Sequence, residues 1–117
     1  MISILIVEDE VMIALALENM LADLGFQKVE HAISLEEALA AAALGPDCAI
    51  VDYKLGNETA EPLLRMLDAR AIPFILVTGY DDRALKSIAD AGWPLLTKPT
   101  LPEALSSALD RLGIRAA

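Results

Sequence analysis

The sequence is poor in cysteine, aromatic residues and basic residues, and each shortage excludes a class of protein. A single cysteine cannot form an internal disulfide, so the core has to stabilise the fold. Nine Lys and Arg residues stand against eighteen Asp and Glu residues, which gives a formal net charge of −9. Such a chain repels phosphate backbones and anionic lipids, which argues against nucleic-acid and membrane partners.

Long apolar runs are also missing. No stretch reaches the roughly twenty apolar residues of a membrane span, and the N-terminus lacks the basic flank of a signal peptide. We therefore expect a soluble, cytoplasmic protein. Hydrophobic residues make up 56% of the chain, which excludes a disordered acidic tail. The length of 117 residues predicts a single domain over residues 1–117.

Short apolar runs alternate with helical patterns along the chain. The predicted strands cover residues 2–7, 28–31, 48–51, 73–77 and 95–96. Two predicted helices cover residues 11–24 and 83–89. Three more are predicted from the signals at their N-termini: a capping box at Ser34 and Glu37, a cap near Thr59, and a second capping box at Thr100 and Glu103. Strands that alternate with helices need crossovers, so we expect an α/β fold with a five-stranded parallel sheet and helices on both faces.

Polar residues follow four of the predicted strands at their carboxyl ends. Glu8 and Asp9 follow the first strand, Asp52 the third, Thr78 the fourth and Lys98 the fifth. The carboxyl ends of parallel strands share one edge of the sheet, so these side chains are expected to converge there. Neighbouring carboxylates repel each other by about 4 kcal/mol at an effective dielectric near 20. A divalent cation with a preference for oxygen, Mg²⁺ or Mn²⁺, would relieve that repulsion.

The same residues point to a reaction class. A metal beside a carboxylate, with a lysine and a threonine, suits phosphoryl transfer to that carboxylate. In this interpretation the metal and Lys98 neutralise the phosphoryl oxygens, Thr78 donates a hydrogen bond, and Asp52 attacks.

Four segments in this order resemble the receiver domain of two-component response regulators. They are residues 4–10, 49–52, 76–79 and 97–99, and the resemblance covers essentially the whole chain. It implies a (βα)5 flavodoxin-like receiver fold with strand order 2-1-3-4-5. It also implies phosphorelay signal transduction with a sensor histidine kinase as partner.

The resemblance implies a role for each matching site residue. Asp52 matches the phosphoacceptor and Asp9 a direct metal ligand. Glu8 matches the residue that holds the metal through water, and the backbone carbonyl of Lys54 is a further ligand.

The remaining matches concern the phosphoryl group. Thr78 and Lys98 match the hydroxyl and the lysine that sense it. The resemblance also implies a cis peptide bond between Lys98 and Pro99.

Residues 52–58 and 73–80 resemble a narrower group, the stand-alone alphaproteobacterial receivers called FAT GUY. This resemblance implies a histidine kinase of the HWE type and a role as a phosphate sink or as a competitor for a shared kinase. Lys54 and Tyr80 are predicted to flank the mouth of the pocket.

Two positions depart from the common receiver pattern. Leu95 stands where receivers have an aromatic switch residue, which removes coupling between Thr78 and a ring. The loop after Asp52 lacks the usual proline and has Leu55 and Gly56 instead, so its metal geometry is expected to differ.

Three functional hypotheses remain. The first is a single-domain response regulator without an output domain. It is not an enzyme in the ordinary sense but promotes its own phosphorylation and dephosphorylation, and it acts through a downstream protein or by withdrawing phosphate from a kinase. The second is a phosphatase with an aspartyl-phosphate intermediate, which needs an acid where Lys54 stands. The third is a degenerate receiver that only binds partners.

Three other residues have structural interpretations. Cys48 lies in an apolar run and is predicted to be a buried, unreactive thiol. Trp93 is expected to pack before the fifth strand. His31 is interpreted as an ordinary histidine at a strand end, because nothing around it resembles a phosphorylation site.

Overall fold

The computed structural model describes residues 1–79 and 91–116. Tyr80 and the predicted helix over residues 83–89 lie outside the described residues. The strands in chain order are β1 (Ser3–Val7), β2 (Lys28–Ala32), β3 (Cys48–Asp52), β4 (Lys54–Leu55), β5 (Glu58–Thr59), β6 (Phe74–Thr78) and β7 (Leu95–Thr97). The helices within the described ranges are α1 (Val11–Asp23), α2 (Leu35–Ala43), α3 (Glu61–Ala69) and α4 (Pro102–Arg111).

Five strands form a parallel sheet in the order β2-β1-β3-β6-β7. If only the strands of this sheet are numbered, the order is the predicted 2-1-3-4-5, which confirms the fold class. The chain runs outward from β1 to β2 and then crosses back to β3. The switch in direction lies between β1 and β3, and in open parallel sheets ligands bind at the carboxyl ends of the strands beside such a point.

Alternate residues of β1 pack into two separate core layers. Leu5 and Val7 face a layer that includes buried residues of α2 and α3. Ile4 and Ile6 face the opposite layer, with buried residues of α1 and α4. Both layers are mainly aliphatic, and together they confirm that helices cover both faces of the sheet.

The loop that the sequence analysis placed after Asp52 contains regular structure. β4 and β5 form a small antiparallel hairpin, in which Lys54 pairs with Thr59 and Leu55 with Glu58. Gly56 is the first residue of the two-residue turn and has φ of 62°. Glycine adopts a positive φ without the steric cost that a side chain brings, which is why type II′ hairpins favour it at this position.

The beginnings of the helices confirm one predicted cap and correct two. The Ser34 hydroxyl accepts a hydrogen bond from the Glu37 N–H at 3.2 Å, as the capping box predicted. The cap predicted near Thr59 lies one residue later, because Thr59 belongs to the hairpin and Ala60 is the N-cap of α3, without a side-chain hydrogen bond. The capping box at Thr100 is wrong.

A proline explains where α4 begins. Its N-cap is Leu101, and no side chain caps the helix. Pro102 is the first helical residue, a position that proline favours because its φ is already helical and the missing N–H would have no partner there.

Two of the structural interpretations are confirmed. Cys48 is fully buried, and desolvation raises the pKa of its thiol to about 12. The ring of Trp93 packs edge-on against Phe74, with 5.7 Å between the ring centroids. Among the residues that the structure describes, no helix combines the length and the apolar character needed to cross a bilayer.

Candidate functional site

The structure brings together the side chains of Glu8, Asp9, Asp52 and Lys98, and it places the fifth predicted residue, Thr78, at the same edge of the sheet. Glu8 and Asp9 follow β1, Asp52 ends β3 and Thr78 ends β6. Lys98 follows β7, and its backbone N–H donates to the Thr78 carbonyl at 2.8 Å, which continues the β6–β7 ladder by one residue. The register of the strands therefore determines the backbone position of each of these residues.

Lys98 connects two of the carboxylates. Its Nζ lies 3.0 Å from Glu8 Oε1 and 3.0 Å from Asp52 Oδ2. Glu8, Asp52 and Thr78 are the buried polar residues of the described part of the chain. Every polar residue that the described fold buries thus belongs to this one edge of the sheet, where burial is tolerated because each group has a partner.

The charges of the cluster do not balance. Desolvation, followed by the hydrogen bond and charge of Asp52, raises the pKa of Glu8 to about 8, and this outweighs the opposing effect of Lys98. Burial by itself lowers the pKa of Lys98, but the hydrogen bonds and charges of Asp52 and Glu8 raise it above the usual lysine value. One ammonium group therefore does not compensate all the carboxylates, and a further cation is favoured at this edge.

Glu8, Asp9 and Asp52 have the composition of a magnesium site. Each offers a carboxylate oxygen, and these three oxygens lie within 4.8 Å of one another. Oxygen ligands at about 2.1 Å from an octahedral ion are separated by about 3 to 4.2 Å, so small side-chain movements bring the three into range. The residues present therefore fit Mg²⁺ or Mn²⁺, whose usual ligands are carboxylates and water.

The β4–β5 hairpin contacts two of these carboxylates through its backbone. The Gly56 N–H donates to Asp9 Oδ2 at 3.0 Å, and the Lys54 N–H donates to Asp52 Oδ1 at 3.3 Å. Residue 54 is a lysine with an exposed side chain, so this position lacks the carboxylic acid that a phosphatase of the second hypothesis needs. The sequence did not predict the hairpin, because strands of two residues are too short to show a period.

The remaining predicted features have mixed outcomes. The Lys98–Pro99 peptide bond is cis, as the resemblance implied. Thr78 is 1% exposed, and its hydroxyl lies 3.4 Å from the Gly79 carbonyl. Leu95 pairs with Leu76 and packs against the layer of α2 and α3, so an aliphatic contact stands where a receiver has its aromatic switch.

His31 contacts the site, although its sequence gave no indication of this. Its Nε2 lies 2.8 Å from the backbone carbonyl of Glu8. The contact depends on strand register, which places His31 beside Ile6. The acceptor is a backbone carbonyl, which every residue has, so the residue types in the sequence could not predict this hydrogen bond.

An apolar groove of about 500 Å³ lies beside Lys98. One wall comes from α1 and includes Met12, Ile13 and Met20, and the other comes from residues 98–100. Met12 is 78% exposed, an unusual position for a large apolar side chain. The groove shares Lys98 with the carboxylate cluster, so the two features form one continuous surface.

The comparisons with known proteins agree on one family. A family model described as the response regulator receiver domain matches residues 4–110. An uncharacterized response regulatory protein of Vibrio parahaemolyticus is 34% identical over 71 residues, which is 60% of this chain and 29% of that protein. The chain thus spans less than a third of this relative's length.

Solved structures from two bacteria have the same fold over nearly the whole chain. SdrG from Sphingomonas melonis is 37% identical and superimposes with a TM-score of 0.83 over 97% of this chain and 98% of that one. The signal receiver domain of a signal transduction histidine kinase from Syntrophus aciditrophicus is 34% identical, with a TM-score of 0.82 over 96% of this chain and 89% of that one.

Proposed function

The chain belongs to the response regulator receiver domain family, and from this premise we propose that Asp52 accepts a phosphoryl group from a sensor histidine kinase in a reaction that depends on Mg²⁺. The observation that carries the proposal is the Asp52 carboxylate itself. It is only 7% exposed, it lies at the carboxyl edge of the sheet, and Lys98 holds one of its oxygens at 3.0 Å.

The transfer exchanges one bond for another. An oxygen of Asp52 attacks the phosphorus atom of the donor's phosphohistidine, and a phosphorus–oxygen bond forms as the phosphorus–nitrogen bond breaks. The electron pair of the broken bond stays on the imidazole nitrogen of the donor. The product is an acyl phosphate on Asp52, a covalent intermediate that water can hydrolyse.

Glu8, Asp9 and Asp52 are the proposed metal ligands, with the backbone carbonyl of Lys54 as a fourth. The metal is Mg²⁺, or Mn²⁺ in its place, and when bound it neutralises the charge that develops on the phosphoryl oxygens. Asp9 is exposed at the rim, whereas Glu8 is 1% exposed. As the resemblance implies, Asp9 would coordinate the metal directly and Glu8 would hold it through water.

Lys98 and Thr78 are proposed to bind the transferred group. The Lys98 ammonium already contacts Asp52 and can move its hydrogen bonds from the carboxylate to a phosphoryl oxygen. The buried Thr78 hydroxyl has a distant acceptor at 3.4 Å, so turning towards a phosphoryl oxygen costs it little. With these groups the domain promotes its own phosphorylation and dephosphorylation, as a regulatory phosphoacceptor rather than an enzyme with a separate substrate.

The proposed partners are proteins of a signalling pathway. The apolar groove beside Lys98 supports a protein as the phosphoryl donor, because a docked kinase helix would bury Met12 and bring its histidine to the edge where Asp52 lies. We propose a kinase of the HWE type, on the strength of the resemblance to FAT GUY receivers. We propose that the receiver domain acts in the cytoplasm, by contact with a downstream protein or as a phosphate sink.

Intact-mass measurement tests the proposal. The wild-type chain, Asp52→Asn and the control Asp68→Asn are incubated with acetyl phosphate and Mg²⁺. We expect wild type and Asp68→Asn to gain one phosphoryl group and Asp52→Asn to gain none. Asp68 is an exposed aspartate on α3, so it controls for the loss of one carboxylate elsewhere.

Two other results would contradict the proposal. If the wild type gains no phosphoryl group from acetyl phosphate or from an HWE kinase, the degenerate receiver becomes the better hypothesis. If Asp52→Asn is labelled as fully as the wild type, another residue is the acceptor.

A further inference from the structure

His31, which the proposed chemistry does not use, contacts the backbone of the loop that carries Glu8 and Asp9 between β1 and α1. We propose that His31 is a positioning residue for the magnesium site, and that it acts by donating a hydrogen bond from its Nε2–H to the Glu8 carbonyl. The distance between the two atoms is 2.8 Å. This inference rests on the magnesium site of the proposed function but not on phosphoryl transfer.

Both backbone groups of Glu8 are bound to β2. The Glu8 N–H donates to the Ala32 carbonyl at 3.0 Å, which extends the β1–β2 ladder by one step. The chain then leaves the sheet for α1, so the ladder cannot supply a partner for the Glu8 carbonyl. The His31 side chain supplies it instead, from the strand position that pairs with Ile6.

The contact does not depend on the charge of the ring. A carbonyl oxygen can only accept, so the imidazole nitrogen has to donate. Both the imidazolium form and the neutral tautomer with hydrogen on Nε2 can do so. His31 is half-buried, and the hydrogen bond fixes the orientation of the peptide between Glu8 and Asp9.

Fixing this peptide matters because both neighbouring side chains are proposed ligands. The opposite side of the loop is held by the Gly56 N–H, which contacts Asp9 Oδ2 at 3.0 Å. His31 on one side and the hairpin on the other thus keep Glu8 and Asp9 in place before a metal binds. Groups that orient metal ligands in this way change the affinity for the metal although they do not touch it.

Two substitutions separate the hydrogen bond from the volume of the ring. His31→Leu introduces a side chain of similar volume that has no hydrogen-bond donor. His31→Gln carries an amide N–H at nearly the distance of Nε2 from the backbone. Mg²⁺ binding to the unphosphorylated chain is measured by titration calorimetry at one pH, and metal-free thermal unfolding shows whether each variant is folded.

We expect His31→Leu to weaken Mg²⁺ binding about tenfold. His31→Gln should bind within about twofold of the wild type, since it keeps the donor. If both variants bind like the wild type, or both lose affinity equally, the proposal is wrong. A wild type that binds no Mg²⁺ overturns it as well, whereas a wild type that binds Mg²⁺ but is not phosphorylated overturns only the proposed function.

The ring itself offers a second measurement that does not involve the metal. The nitrogen chemical shifts of His31 show which ring nitrogen carries the proton in the neutral form. We expect Nε2 to carry it, because the Glu8 carbonyl needs a donor there. Protonation at Nδ1 alone would overturn the proposal even if His31→Leu failed to fold.

Discussion

Glu8 carries a buried carboxyl group at the point where the chain leaves β1. Its position between Asp52 and Lys98 makes its protonation depend on which cation is near. Lys98 contributes one positive charge at 3.0 Å, but desolvation and the charge of Asp52 still raise the pKa of Glu8 to about 8. Near neutral pH the metal-free site therefore holds a proton that a metal ion would have to displace.

This proton makes the stability of the metal-free protein depend on pH. The pKa of Glu8 is about 8 in the folded chain and 4.5 as the reference value for an unperturbed glutamate. Between these values the folded chain holds a proton that the unfolded chain has released, so the contribution to stability is full below pH 4.5 and is lost as the pH rises through 8. We expect the free energy of unfolding in EDTA to fall from pH 5 to pH 8.

Urea unfolding at four pH values, with and without Mg²⁺, checks this expectation. Mg²⁺ competes with the proton, so its stabilising effect should grow over the same range. Glu8→Gln should flatten the metal-free pH dependence, whereas Glu36→Gln, at an exposed position on α2, should leave it unchanged. A Glu8→Gln variant with the wild-type pH dependence would place the titrating group elsewhere.

Single residues also show what the sequence could and could not predict. Glu8, Asp52 and Lys98 were predictable, because the ends of parallel strands meet at one edge and the residue types carry the chemistry. The contact of His31 was not, because it depends on register and on a backbone carbonyl. Every peptide bond has a carbonyl that can accept a hydrogen bond, so the identity of residue 8 does not indicate that its carbonyl binds His31.

At the scale of the elements, the beginnings of α2 and α4 offer a direct comparison. Both have the same sequence signature, a hydroxyl residue followed three positions later by glutamate. Only Ser34 caps its helix, whereas Thr100 lies outside α4 and Pro102 sets the first turn. The signature predicted both helices correctly but could not distinguish a side-chain cap from a start that proline determines.

Alanine substitutions distinguish the two starts. Ser34→Ala should cost about 1 kcal/mol of stability, because the Glu37 N–H loses its acceptor. Thr100→Ala should cost about 0.5 kcal/mol or less, since no helical N–H depends on its hydroxyl. Urea unfolding of both variants measures the difference, and equal losses would show that Thr100 caps α4 in solution.

The hairpin of β4 and β5 marks the limit of prediction from pattern at this scale. Its strands have two residues each, and the turn at Gly56 was visible only as a departure from the usual loop. The hairpin nevertheless contributes two backbone N–H groups to the carboxylate cluster. Helices and long strands follow from periodicity, whereas this segment depends on tertiary contacts with Asp9 and Asp52.

For the whole molecule, the net charge of −9 raises the question of how much of the response to Mg²⁺ comes from one site. Any salt screens the repulsion among surface carboxylates and stabilises an acidic protein. A specific site adds a second contribution, because a ligand that binds only the folded state stabilises it in proportion to the logarithm of its concentration. At about 100 times the dissociation constant this contribution is about 2.7 kcal/mol.

Thermal unfolding at matched ionic strength separates the two contributions. We expect MgCl₂ to raise the melting temperature by several degrees more than NaCl at equal ionic strength, because about 1 kcal/mol corresponds to about 4 °C for a domain of this size. Asp9→Asn removes the carboxylate of a proposed ligand that is exposed and forms no ion pair within the described residues. The variant should therefore keep the response to NaCl and lose most of the extra response to MgCl₂. Equal responses to the two salts would mean that the acidic surface, and not the cluster at the carboxyl edge, accounts for the effect.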